Sequence, residues 1–140
     1  MERTHTQFTV SLSSAPGQLR RLVAALALEQ VSVTGLSWQA EGEAGILRFV
    51  TDKTLGVEKV LKRLGLGVVE TPVVTVPVSN KPGELARMLQ LLDDAGVEVR
   101  EMYGSSDKPE TCRLLVAVDK PERARTLLRV FAETLVLATR

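Results

Sequence analysis

Along this chain apolar positions fall into a period of two, then a period of three to four, and the whole succession occurs twice. From Gln7 to Leu12 the residues Phe8, Val10 and Leu12 alternate with Gln7, Thr9 and Ser11, the pattern of a half-buried strand. After Pro16-Gly17, the residues Leu19, Leu22, Val23 and Leu26 stand at helical spacing and predict a helix ending near Gln30. Val31 to Gln39 and Ile46 to Thr51 are rich in β-formers. The polar stretch Ala40 to Gly45 between them predicts an antiparallel hairpin. Thr51 or Asp52 then caps a second helix with the stripe Val57, Val60, Leu61 and Leu64, stopped by Gly65 and Gly67, and Leu66 to Thr71 closes the unit as a strand. The order is β-α-β-β-α-β, the ferredoxin-like arrangement with helices on one face of an antiparallel sheet.

The second half repeats the first. Val74, Val76 and Val78 answer Phe8, Val10 and Leu12, and Leu85, Met88, Leu89 and Leu92 answer the first helical stripe, all 66 residues on. Beyond the hairpin that contains Gly104 to Pro109, Asp119 answers Asp52. Ala124, Leu127, Leu128 and Phe131 answer the second stripe at an offset of 67, so the second hairpin holds one residue more. Two stripes, a strand and three turns agreeing in this way predict an α+β protein of two tandem modules, 1–71 and 72–140. Only Thr71-Pro72 separates the last strand of one from the first strand of the next. Apolar residues also mark the other side of the hairpin strands, where Ile46 and Val50 oppose Leu47 and Phe49. That predicts a cover for the helix-free face, by a second copy or by packing of the halves.

The most informative stretch is the repeated strand-to-helix turn, Ser79-Asn80-Lys81-Pro82-Gly83-Glu84-Leu85, matched by Ser14-Ala15-Pro16-Gly17-Gln18-Leu19. Proline suits a first helical position, where its missing N–H would be unpaired anyway, which leaves Asn80 or Lys81 near the cap. Glycine lets another molecule approach the N–H groups at the helix start, where the dipole favours a carboxylate or phosphate. Such a turn is also a sound connection with no ligand at all.

Composition narrows the function by exclusion. Eighteen basic and seventeen acidic residues give a formal charge of +1 with no basic block, which argues against nucleic acid and membrane surfaces as partners. One cysteine, Cys112, precludes an internal disulfide, and one histidine, His5, leaves no ligand set for a metal. No cofactor motif, phosphate loop or nucleophile-base pair of known spacing is present, so an enzyme is not expected. The N-terminus carries no signal-peptide pattern and no apolar run is long enough to span a bilayer, which predicts a cytoplasmic protein.

The strand leading into Asn80-Lys81-Pro82-Gly83-Glu84-Leu85, the helix after it and Gly96-Val97-Glu98-Val99 beyond resemble the ACT domain family of small ferredoxin-like regulatory modules that bind amino acids. Gly45-Ile46-Leu47-Arg48 before Asp52, with Met102-Tyr103, is similar to the stand-alone bacterial proteins with two such modules and no catalytic domain. The resemblance implies a free amino acid bound where the first turn of one module meets the second strand of another. Asn80 would use its amide there and Gly83, Glu84 and Leu85 their backbone, with Lys81 and Pro82 of the same turn also among the ligand-binding residues. Ser14, Gly17, Gln18 and Leu19 are the corresponding positions of the first half. The alternative to a sensor is a ligand-free module docked on an enzyme of amino-acid metabolism, and the apolar second face of the sheet makes a homodimer the expected assembly. Serine-sensing members have histidine where this chain has Val78 and Leu12, and asparagine where it has Glu98 and Ser32, which speaks against serine as the ligand.

Further candidates have competing readings. Arg48 suits a ligand carboxylate, or else a rim position whose stem covers apolar surface. Tyr103 suits a pocket wall or plain packing, and Glu98 stands where the second strand begins. Trp38 reads as an edge residue, His5 as part of a frayed end, and Cys112 as a small buried apolar group.

Overall fold

A computed structural model of the protein describes residues 3–51 and 53–138. The elements are β1 (Arg3–Ser13), α1 (Gln18–Leu28), β2 (Gly35–Glu41), β3 (Ala44–Thr51), α2 (Thr54–Leu64), β4 (Val68–Ser79), α3 (Glu84–Asp94), β5 (Val99–Lys108), β6 (Thr111–Val118) and α4 (Pro121–Ala138). They form two ferredoxin-like units. One is Thr6–Thr71; the other is the chain from Pro72 onward together with the start of β1, up to His5. The unit boundary thus falls within β1 and β4. His5 lies in strand β1, not in a frayed end.

In the first unit β3 lies between β1 and β2, antiparallel to both, with Phe8 opposite Phe49 and Trp38 opposite Leu47. Alternation sends Phe8, Val10, Leu47 and Phe49 to one side, where Leu22 and Leu26 of α1 and Val57, Val60 and Leu61 of α2 close the core. Val23, expected in the stripe, is 39% exposed at its margin. The hairpin is tighter than its polar composition suggested, since β2 runs to Glu41 and β3 begins at Ala44. Gly42, at φ +64°, turns the chain with only Glu43 beside it. At the start of α2, Lys53 is the N-cap and contributes no side-chain bond, while Thr51 Oγ1 accepts from its N–H at 3.2 Å. Thr51 completes β3, so it acts from the strand, and Asp52, the other expected cap, lies outside the described residues.

In the second unit β6 lies between β4 and β5, again antiparallel, over a core of Val74, Val76, Val78, Met88, Leu92, Val116, Leu128 and Phe131. The hairpin's additional residue is absorbed as a bulge between Ser106 and Lys108. The helix α4 departs from its counterpart. α2 stops at Leu64 because Gly65 takes the left-handed conformation, φ +69°. The corresponding position is Ala132, and α4 continues to Ala138 through residues that would otherwise begin a closing strand. On the helix-free side Val50, Val73, Leu115 and Ala117 are all buried, whereas Ile46 is 40% exposed.

Candidate functional site

The two strand-to-helix turns have the same backbone. Gly17 and Gly83 are the N-caps of α1 and α3, with φ 91° and 90° and the same ψ of −17°, and neither helix has a side-chain cap. Pro16 and Pro82 therefore precede the cap and do not occupy the first helical turn as expected. The left-handed residue has to be glycine, and it displaces the proline outward. In each turn the preceding serine accepts a backbone N–H: Ser13 Oγ from Ala15 at 3.2 Å and Ser79 Oγ from Lys81 at 3.3 Å. A Cβ on Gly83 would meet nothing within 4 Å, and one on Gly17 only the end of Arg20, so both glycines face open space.

Each turn is fastened to the tip of its own unit's hairpin. Ser14 N–H donates to Glu43 O at 3.0 Å and Ser14 Oγ to Gly42 O at 2.7 Å. Asn80 N–H donates to Glu110 O at 2.9 Å, and Asn80 Nδ2 donates to Ser106 Oγ at 2.7 Å and to Pro109 O at 2.9 Å. The amide expected to serve a ligand thus holds the hairpin; its Oδ1 is the atom left to face outward chemistry. Sequence reading missed Ser106 and Pro109, because a register fixed by a bulge brings them to Asn80. We expect Asn80→Ala to cost about 1–3 kcal/mol, from two side-chain bonds at about 0.5–1.5 kcal/mol each, and Ser14→Ala about half as much, measured by urea unfolding.

The surroundings of the second turn are charged. Glu84 pairs with Arg87 across one helical turn at 3.0 Å, and that hydrogen-bonded guanidinium holds the Glu84 carboxyl below the usual carboxylate range, with Lys81 adding to the effect. Arg87 also stands 4.7 Å over the ring of Phe131, tying this end of α3 to the core. Leu85 is 42% exposed beside the turn, while Leu19 is half-buried against the first core. Gln18 lines a small cavity of about 100 Å³ with Leu12, Arg21, Leu22, Leu64 and Leu66.

The remaining candidates lie elsewhere. Glu98, whose N–H donates to Asp119 Oδ1 at 2.8 Å, precedes β5, the length of that strand away from Asn80, roughly 25–30 Å. Tyr103 pairs with Leu115 on the helix-free side of the second unit. Arg48 occupies the matching position of the first unit, opposite Thr9 and Ser37. It lines a groove of about 340 Å³ with Ser11, Gln39, Glu41, Ala44, Gly45 and Ile46. Trp38 packs on the first core and lies across Gly45, and Cys112 is half-buried against the second core. Among the described residues no group of three His, Cys, Asp or Glu could hold a metal, and no helix is long and apolar enough to cross a membrane.

A family model described as ACT domain pair matches residues 3–136. The chain belongs to the ACT domain pair family. Its two ACT modules are the units described above, each with one glycine-capped turn. No curated protein matches the chain. A crystal structure of a protein from Bacteroides thetaiotaomicron is 24% identical, with a TM-score of 0.80 over 91% of this chain and 88% of the other. The regulatory subunit of aspartate kinase from Thermus thermophilus, in a ligand-free form, is 16% identical, with a TM-score of 0.67 over 94% and 95% of the two chains. The corresponding subunit from Thermus flavus is 18% identical, with a TM-score of 0.65 and 96% of each chain covered. At these identities the likeness is one of fold, and it extends over both ACT modules.

Proposed function

We propose that this ACT domain pair is a non-catalytic regulatory protein that binds a free amino acid at its strand-to-helix turns. The observation that carries the reading is the pair of glycine N-caps, alike within a degree, uncapped by side chains and open to solvent. The first-turn N–H groups of α1 and α3 and the positive end of each helix dipole suit an α-carboxylate. Fastening to the hairpin preorganises the turn, which lowers the ordering cost of binding. Lys81 adds positive charge at the second turn, Asn80 Oδ1 accepts from the ligand's ammonium, and Leu85 offers apolar contact. A module of a second copy supplies the other wall, in a cytoplasmic homodimer. The amino acid then shifts assembly, or an enzyme of amino-acid metabolism, to the extent that it binds one state better than another.

The experiment is thermal unfolding against the twenty amino acids at millimolar concentration, since a ligand of the folded state stabilises it by RT ln(1 + [L]/Kd). One amino acid, or a related group of them, should raise Tm, and Lys81→Glu should weaken that rise by about tenfold in apparent Kd without lowering basal Tm. A flat panel would reject the sensor. The second reading, a ligand-free interaction module, is favoured by the use of both Asn80 amide hydrogens and the Glu84 carboxylate within the protein.

A further inference from the structure

The groove on the helix-free side of the first module lies beside the hairpin tip that holds the first turn and has a chemical order of its own. Strand register sets its residues in three rows across β2, β3 and β1: Glu41, Ala44 and Ser13; Gln39, Ile46 and Ser11; Ser37, Arg48 and Thr9. A cation stands in one outer row and an anion in the other, with an exposed isoleucine flanked by an amide and a hydroxyl between them. The outer rows lie four positions apart along β3, about 13–14 Å at the strand rise, and the arginine and glutamate side chains reduce the span a ligand must bridge. A volume of about 340 Å³ is at the small end of the range for small-molecule sites, about 300–1,000 Å³.

The second module does not repeat the arrangement. At the positions of Arg48 and Ser37 it has Leu115 and Tyr103, and Leu115 is buried. Arg113 stands there in the place of Ile46, so only the first module sets an apolar residue between the cation and the anion. The guanidinium has five donors, so Arg48 can engage a ligand carboxylate while keeping interactions within the protein.

We infer that this groove binds an extended zwitterion, with a carboxylate at Arg48, an ammonium at Glu41 and a short aliphatic chain over Ile46. An ω-amino acid of about five carbons, which spans about 6–7 Å between its charges, has this form. An α-amino acid with a short side chain does not, because its two charges are adjacent.

The test is calorimetric titration of the full chain with 5-aminopentanoate, pentanoate and 1-aminopentane. The zwitterion should bind at least about tenfold more tightly than either singly charged analogue, because each end forms a charge-assisted bond. Glu41→Gln, a change at an exposed residue, should reduce the zwitterion to the affinity of pentanoate, and Arg48→Met should abolish carboxylate binding. Lys81→Glu, at the turn of the second module, should change neither, which separates this site from the one proposed at that turn. Equal affinity for the three probes, no binding at tens of millimolar, or zwitterion binding unaltered in Glu41→Gln would overturn the assignment.

Discussion

Phe49→Ala is expected to cost about 3–5 kcal/mol, the largest loss for any single truncation in the first module. Phe49 and Phe8 face each other across β3 and β1, wholly buried, with ring centroids 5.4 Å apart and planes 21° from parallel. The truncation removes the burial of one ring and the stacking of the other, and leaves a hole between two strands and two helices that cannot close without moving the sheet. Total stabilities are about 5–15 kcal/mol, so the loss is a large share of what a domain has. Phe49→Leu keeps much of the volume and should cost less than half as much. Urea unfolding of the two variants measures both values. A cost below about 2 kcal/mol for the alanine would mean that the core collapses around the gap, and that the ring pair does not organise the module.

Gly104→Ala is expected to be nearly as damaging, about 3 kcal/mol or more, although it adds only one methyl group. Its Cβ would lie 2.0 Å from the carbonyl oxygen of Arg113, in the backbone of the neighbouring strand, so β5 and β6 must separate locally to admit it. Gly45→Ala is the informative comparison. There the new Cβ would lie 2.1 Å from the Trp38 ring, and a half-buried ring can swing aside where a strand carbonyl cannot, so about 1–2 kcal/mol is expected. Thermal unfolding ranks the two. A smaller loss for Gly104→Ala than for Gly45→Ala would show that the second hairpin yields more readily than a tryptophan side chain. The same separation should loosen the staple at Ser106 and Pro109, which holds the turn at Asn80.

These positions illustrate how far sequence reading reached. The offsets from Phe8 to Val74 and from Leu61 to Leu128 are visible as periodicity, because alternation in strands and three-to-four spacing in helices are local properties of the chain. So are the glycine-bearing turns, whose backbone requires a residue without a side chain. The helix caps were less legible. General preference places proline and threonine at α-helix starts, but the observed caps are Gly17, Lys53 and Gly83, since the left-handed turn and the end of β3 take precedence. The length of α4 was legible only by contrast, through the alanine that stands where the first half has Gly65.

The candidate site divided in the same way. That the turns share a design was written in the repeated Pro-Gly, but that Asn80 spends its amide on Ser106 and Pro109 depended on a bulge on the far strand of the hairpin. Arg48 is a candidate from its guanidinium alone, yet its groove companions Ser11, Gln39, Glu41 and Ile46 come from three strands and are brought together by register. Sequence by itself determined the duplication, the two modules' element order and the apolar stripes, because each depends on neighbours within a few residues. Only the tertiary structure decided which polar atoms remain available to a ligand and where opposite charges share a surface. The bonds that occupy Asn80 and Ser14 join residues 25 or more positions apart, and the charges of the groove are placed by strand register, where one inserted residue changes every partner beyond it.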